Sequence, residues 1–193
     1  NDSIDGGTGL ESSGDTMKFK ANGSTGVTVN LSNDATILAA NRTIDTFGNT
    51  EIVTNIENII GTANKDIVQG NTSTNTLLMG AGNDTIYGST GNDYIDGGNN
   101  QDVLDYSNLS TGLFININLT ANSATIGTLT QSILNIEDVV GSVNADYIKG
   151  NTGVNTLWGG AANDTLDGGS NNDTLYGDDG DDTLIGGAGN DTL

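Results

Sequence analysis

An acidic or amide side chain recurs every nine residues in two stretches of this chain. The first series is Asp66, Asn75, Asp84, Asp93 and Asp102; the second is Asp146, Asn155, Asp164, Asp173, Asp182 and Asp191. If two such units make one coil of a flattened solenoid, residues two units apart stack on the same edge, roughly one strand spacing of ~4.8 Å apart. Asp164 then lies above Asp182, and Asp173 above Asp191. Bare carboxylates that close repel one another, and a hard divalent cation between them turns repulsion into coordination. Ca2+ takes about six to eight oxygens, and an open turn offers backbone carbonyls beside the carboxylate.

The elements that must hold these groups follow from the other columns. Residues 141 to 193 divide into GSVNADYIK, GNTGVNTLW, GGAANDTLD, GGSNNDTLY, GDDGDDTLI and GGAGNDTL; residues 61 to 105 divide into GTANKDIVQ, GNTSTNTLL, MGAGNDTIY, GSTGNDYID and GGNNQDVLD. The eighth position is always aliphatic, at Val68, Leu77, Ile86, Ile95 and Leu104, then Ile148, Leu157, Leu166, Leu175, Leu184 and Leu193. One inward apolar residue per unit, flanked by Thr, Tyr and Ile, predicts a very short strand. The first position is Gly except at Met79, and the fourth is Gly or Asn except at Ser73 and Ala162, which suits a backbone with φ > 0. Each unit therefore reads as a six-residue turn followed by a three-residue strand. A truncated trace of the same pattern, NDSID, opens the chain.

Composition bounds the function. With 25 acidic against 5 basic residues the formal charge is −20, and 29 glycines make the chain costly to order. Such a charge disfavours nucleic acid and anionic membranes, which need a basic face, and suits cations. There is no Cys, His or Pro, which excludes disulfides, thiolate metal sites, Ser-His-Asp and Cys-His machinery and zincin motifs. No stretch is long and apolar enough to span a bilayer as a helix. The first residue is Asn and the last unit is one residue short, so a fragment of a longer chain is expected, with any targeting signal outside it.

The tail resembles the GGxGxDxUx nonapeptide of the RTX, or haemolysin-type calcium-binding, family. The resemblance covers 61 to 105 and 141 to 193, about half of the chain. It implies an all-β parallel β-roll, with Ca2+ held between adjacent turns by the Asp side chain and turn carbonyls. Carried onto this chain, the implied ligands are Asp66, Asp84, Asp93, Asp102, Asp164, Asp173, Asp182 and Asp191, with Asp146 a weaker match. Turn carbonyls are implied at Gly159, Gly160, Gly168, Gly169, Gly177 and Gly186. Asn75 and Asn155 depart from the motif: an amide offers one neutral oxygen and no charge, so sites sharing those rungs should be weaker. GTANKDIVQ and GSVNADYIK match least well and are expected to be edge coils. Sandwiching between units two apart allows roughly four ions in the second block and three in the first, and 4 to 7 in all once failing Asn rungs are discounted.

The remaining stretches are duplicated. GDTMKF at 14 to 19 mirrors QDVLDY at 101 to 106, STGVTVNL at 24 to 31 mirrors STGLFINI at 110 to 117, and TNIENIIG at 54 to 61 mirrors LNIEDVVG at 134 to 141. The organisation predicted is a β segment over 1–60, a first roll block over 61–105, a second β segment over 106–140 and a second roll block over 141–193. VTVNL and LFININL alternate as half-buried strands do, and Asn22-Gly23 suits a tight turn. Each β segment is expected to continue or cap its roll. Glu57 and Glu137 lack the cleft and partner acid that catalysis needs and read as capping or ligand groups at a roll entrance. Trp158 and Tyr87, Tyr94, Tyr106, Tyr147 and Tyr176 read as packing at strand flanks, although an exposed row could stack on sugars.

The expectation is a calcium-folded, non-enzymatic module, expanded without Ca2+ because its charge is high and its core thin. The resemblance implies type I export and folding outside the cell, as a structural or adhesive part of a bacterial surface protein. A surface-layer or filament subunit and the export region of a secreted enzyme or toxin are the alternatives. Reversible assembly with Ca2+ would mark the former, and the sequence upstream of Asn1 the latter. Beyond calcium ions, the partners left open are surface glycans, proteins and further copies of the chain.

Overall fold

A strand with one inward aliphatic cannot bury it alone, so successive strands must alternate between two facing sheets and stack coil upon coil. The computed structural model, which describes residues 3–5, 15–19, 25–31, 42–44, 50–109 and 114–193, is built this way, and every regular element among them is a strand. The first sheet runs, in spatial order, β1 (Ser3–Asp5), β5 (Thr50–Thr54), β4 (Arg42–Ile44), β3 (Thr28–Asn30), β7 (Ile67–Gln69), β9 (Thr85–Tyr87), β11 (Val103–Asp105), β15 (Asp138–Val140), β17 (Thr156–Ala161) and β19 (Thr174–Asp179). The second runs β2 (Thr16–Lys18), β6 (Asn58–Ile60), β8 (Thr76–Leu78), β10 (Tyr94–Asp96), β14 (Leu129–Leu134), β13 (Ser123–Ile126), β12 (Ile115–Asn118), β16 (Tyr147–Lys149), β18 (Thr165–Ser170) and β20 (Thr183–Ala188).

Within the nonapeptide blocks the pairing is parallel and places residues two units apart in register, as in Val68 with Ile86 and Leu157 with Leu175. The fold is thus the parallel β-roll expected. Strands of the first block keep the three-residue length, whereas β17 to β20 extend through the following Gly-Gly-type pair because Gly160 and Gly169 pair with Asp178 and Gly187 in the next coil. The eighth-position aliphatics from Val68 to Leu175 are wholly buried, Leu184 is half-buried and Leu193 is 63% exposed. Each fully buried Leu or Ile contributes about 1.5–3 kcal/mol, so the thin core is cumulative along the stack.

The duplicated β segments do not simply lengthen the roll. Each forms an antiparallel meander, β3–β4–β5 and β12–β13–β14, whose outer strands pair in parallel with the neighbouring coils. The two meanders lie in opposite sheets. Six single strands, β6 to β11, separate them and alternate sides, so the second meander arrives facing the first. Each meander adds two strands to one sheet only. With one in either sheet, both sheets reach 10 strands and the imbalance cancels. The Asn22-Gly23 turn lies outside the described residues.

Candidate metal centre

The sixth-column side chains form two ladders, one on each edge of the roll. On the edge leading into the first sheet the order is Asp66, Asp84, Asp102, Glu137, Asn155, Asp173 and Asp191. On the edge leading into the second it is Glu57, Asn75, Asp93, then, beyond the meander, Asp146, Asp164 and Asp182. A common bond sets the spacing: the Oδ1 of one rung accepts from the backbone N–H of the residue 18 earlier. Asp84 accepts from Asp66 at 2.7 Å, Asp102 from Asp84 at 2.8 Å, Asp164 from Asp146 at 2.7 Å, Asp182 from Asp164 at 2.9 Å and Asp191 from Asp173 at 2.9 Å. Glu57 and Glu137 take the same part at the meander junctions, where their Oε2 accepts from the N–H of Asp15 and of Asp102, both at 2.9 Å. They are caps in the ladder.

The second carboxylate oxygen divides the rungs into two classes. Asp84, Asp102, Asp164 and Asp173 are buried, and the Oδ2 of each has no hydrogen-bond partner. Asp182 and Asp191, in the last coil, are half-buried. The other rungs are satisfied. Asp66 accepts from Val27 N, Thr62 N and Thr62 Oγ1; Asp146 accepts from Ile115 N, Ser142 N and Ser142 Oγ. Asp93 accepts from Asn75 N, Ser89 Oγ and Gln131 Nε2. Asn75 and Asn155 take an N–H from Asn71 and Asn151 and donate to the carbonyls of Glu57 and Glu137, at 3.0 and 2.7 Å.

Backbone conformation sorts the turns in the same way. Turns leading to the orphan class carry φ > 0 at their second and fourth residues: Gly80 and Gly82, Gly98 and Asn100, Gly160 and Ala162, Gly169 and Asn171, Asp178 and Gly180, Gly187 and Gly189. No residue in the turns leading to Asp66, Asn75, Asp93, Asp146 or Asn155 has a positive φ. The second column explains the split. It is Gly or Asp in the first class and Thr62, Asn71, Ser89, Ser142 or Asn151 in the second. Gly enters the left-handed region freely and Asp178 also adopts it, whereas Thr, Ser or Asn there keeps the ordinary conformation, which turns an N–H or a hydroxyl onto the rung instead. This second-column distinction was present in the sequence and is the signal that period-reading passed over.

The orphan oxygens of Asp102, Asp164 and Asp173 each stand in a recess against a first-column glycine, where Asp84 has Met79 in that column instead. A β-carbon on Gly168 would stand 2.5 Å from Asp173 Oδ2 and 2.8 Å from the carbonyl oxygen of Gly186, in the next coil. Gly159 stands likewise to Asp164 Oδ2 and the Gly177 carbonyl, so Gly159, Gly168, Gly177 and Gly186 all border the recesses, and Gly160 and Gly169 supply the positive φ. Burial pushes the carboxyls up, to about 6 for Asp84 and Asp164 and about 7 for Asp102, and raises Asp173 too; ionised neighbours on the ladder add to the rise. An oxygen that is buried, unpartnered and reluctant to ionise alone fits a bound hard cation, which supplies the missing partner and the opposing charge. Among the described residues no group of three or more acidic side chains converges, so a cation here must draw its remaining oxygens from turn carbonyls and water.

The aromatic residues divide. Trp158 stacks on the exposed Tyr176 with ring centroids 5.7 Å apart, on the outer face of the first sheet, whereas Tyr106 is fully buried. Lys149 pairs with Asp167. No helix among the described residues is long and apolar enough to cross a membrane.

A family model described as the RTX calcium-binding nonapeptide repeat matches the chain in four copies, at residues 54–85, 69–104, 140–175 and 158–193, which together span more than half of it. No curated protein matches the chain significantly.

Proposed function

The chain belongs to the RTX calcium-binding nonapeptide repeat family, and from that premise we propose that it is a calcium-gated folding module in which the turns with orphaned carboxylates hold the ions. The observation that carries this is the set of buried, unpartnered Oδ2 atoms on Asp84, Asp102, Asp164 and Asp173. Asp182 and Asp191, in turns of the same backbone class, complete the set. Bound Ca2+ supplies positive charge between carboxylates and turn carbonyls. The chain's own part is to hold those oxygens in fixed turns, to bury them against an aliphatic stack, and to exclude competing donors through glycine.

Without the ion, four buried carboxylates and a formal charge of −20 oppose a core one side chain deep per coil. Folding and binding are then coupled, as in other small metal-dependent folds. A module that stays expanded at low calcium and folds at high calcium suits type I export and a life outside the cell. Within that setting we favour a structural, spacer-like segment of a surface protein or adhesin: the duplicated meander-plus-roll module extends the roll, and no catalytic constellation was evident in the sequence.

Far-UV circular dichroism during a Ca2+ titration, with Mg2+ as control, tests the proposal. A cooperative gain of β signal with Ca2+ alone is expected. A β spectrum already complete in chelator at neutral pH, unchanged by Ca2+, would sink it.

A further inference from the structure

The edge of the first block that leads into the second sheet contains no orphaned carboxylate. Asn75 is satisfied through its own amide, and Asp93 through Ser89 and Gln131. Gln131 immediately precedes the stretch of β14 that pairs with β10, just as Asp93 immediately precedes β10 itself, so it occupies a rung position although it belongs to no nonapeptide. It is wholly buried. Its Nε2 lies 2.9 Å from the carbonyl oxygen of Ser89, 3.2 Å from that of Gly91 and 2.8 Å from Asp93 Oδ2. Its Oε1 accepts from the hydroxyl of the buried Tyr106.

Two turn carbonyls and a carboxylate are the oxygens a hard cation would collect between two coils. Here an NH2 group sits among them. The amide can stand only this way round: reversed, it would set a carbonyl oxygen against three acceptors. Tyr106 locks that orientation, and its phenol, buried beside Asp93, is pushed far above its ordinary range and stays a donor.

We infer that the Gln131 carboxamide is a built-in substitute for a cation, so that the first block takes calcium along one edge only, at Asp84 and Asp102, while the second block takes it along both. This rests on the calcium reading above and refines it. The amide arrives on the second meander, 38 residues from Asp93. On the edge leading into the second sheet the junction between the two blocks is therefore closed without an ion, while on the other edge Asp102 and the carbonyl of Asn135 border the same recess beside Gly97.

Exchanging the amide tests this on the intact chain. Gln131→Glu places a second carboxylate against the same carbonyls and Asp93. It should bind one more equivalent of Ca2+ than the wild type by calorimetric titration. Gln131→Ala, which removes the donor without adding charge, is the check if the Glu variant fails to fold. It too should gain one equivalent. If neither variant gains an equivalent, the inference is overturned. Loss of one equivalent in Asp93→Asn would overturn it equally, since Asp93 would then be a ligand already. A wild type that binds no Ca2+ would instead strike the calcium reading itself, so the two failures are distinguishable.

Discussion

Replacing Asp102 by Asn should make the calcium-free protein more stable and the calcium-loaded protein less so. Asp102 is wholly buried, its Oδ2 is orphaned, and burial, with Asp84, Glu137 and Asp96 charged nearby, lifts its carboxyl from 3.8 to about 7. A group whose folded value is raised supports the fold below its unfolded value and loses that support as pH climbs through the folded one. For Asp102 the window runs from about 4 to about 7. The full gap corresponds to about 4 kcal/mol at pH 8, and neighbouring charges that protonate together reduce the separable share to about 2–4 kcal/mol. Asn keeps an Oδ1 to accept from Asp84 N, and its Nδ2 can donate to a carbonyl as Asn75 and Asn155 do. Circular dichroism on metal-stripped protein from pH 4 to pH 8 should show equal β signal at the acid end, with Asp102→Asn keeping that signal to a higher pH than the wild type. In Ca2+ the order should reverse, with one equivalent fewer bound. Loss of the metal-free β signal at a lower pH in the variant than in the wild type would refute the reasoning, as would a metal-free wild type whose β signal falls steadily from pH 8 to pH 5.

Ala162 holds φ 76, a conformation costing an L-residue about 1–2 kcal/mol, so Ala162→Gly should raise the urea-derived stability by about 1 kcal/mol after the extra freedom of unfolded Gly is counted. Leu166, wholly buried in β18 in register with Ile148 and Leu184, should cost about 2–5 kcal/mol as Leu166→Ala, seen as a lower midpoint in saturating Ca2+. Glu137→Ala leaves the N–H of Asp102 without its acceptor and should cost about 1–3 kcal/mol, largely recovered in Glu137→Gln; equal losses in both would mean that the charge of Glu137 matters rather than the bond.

Periodicity carried the short strands and the rungs of the nonapeptides, because a nine-residue repeat with one aliphatic and one acid or amide per unit has few ways to bury the one and cluster the other, and the resemblance to the RTX family carried the parallel roll. The match of Glu57 with Glu137 carried their shared place at a roll entrance, and the bonds from Asp15 and Asp102 make them caps. Two things lay beyond it. The meanders face opposite sheets because an odd number of steps separates them, a consequence of how half-coils alternate in space. Which rungs remain open was only half legible. Gly against Thr, Ser or Asn in the second column sets the turn conformation locally, and the N–H groups that fill Oδ2 of Asp66 and Asp146 come from Thr62 and Ser142, four residues away; at Asp93 a distant group, Gln131, 38 residues on, shares that oxygen with Ser89. A hydrogen bond needs its partner within about 3 Å, and no local pattern can say which distant N–H the folded chain will bring there. The repeat therefore determined where the carboxylates stand and its second column which turns leave one open, and the tertiary packing decided that Gln131 fills the rung beside Asp93.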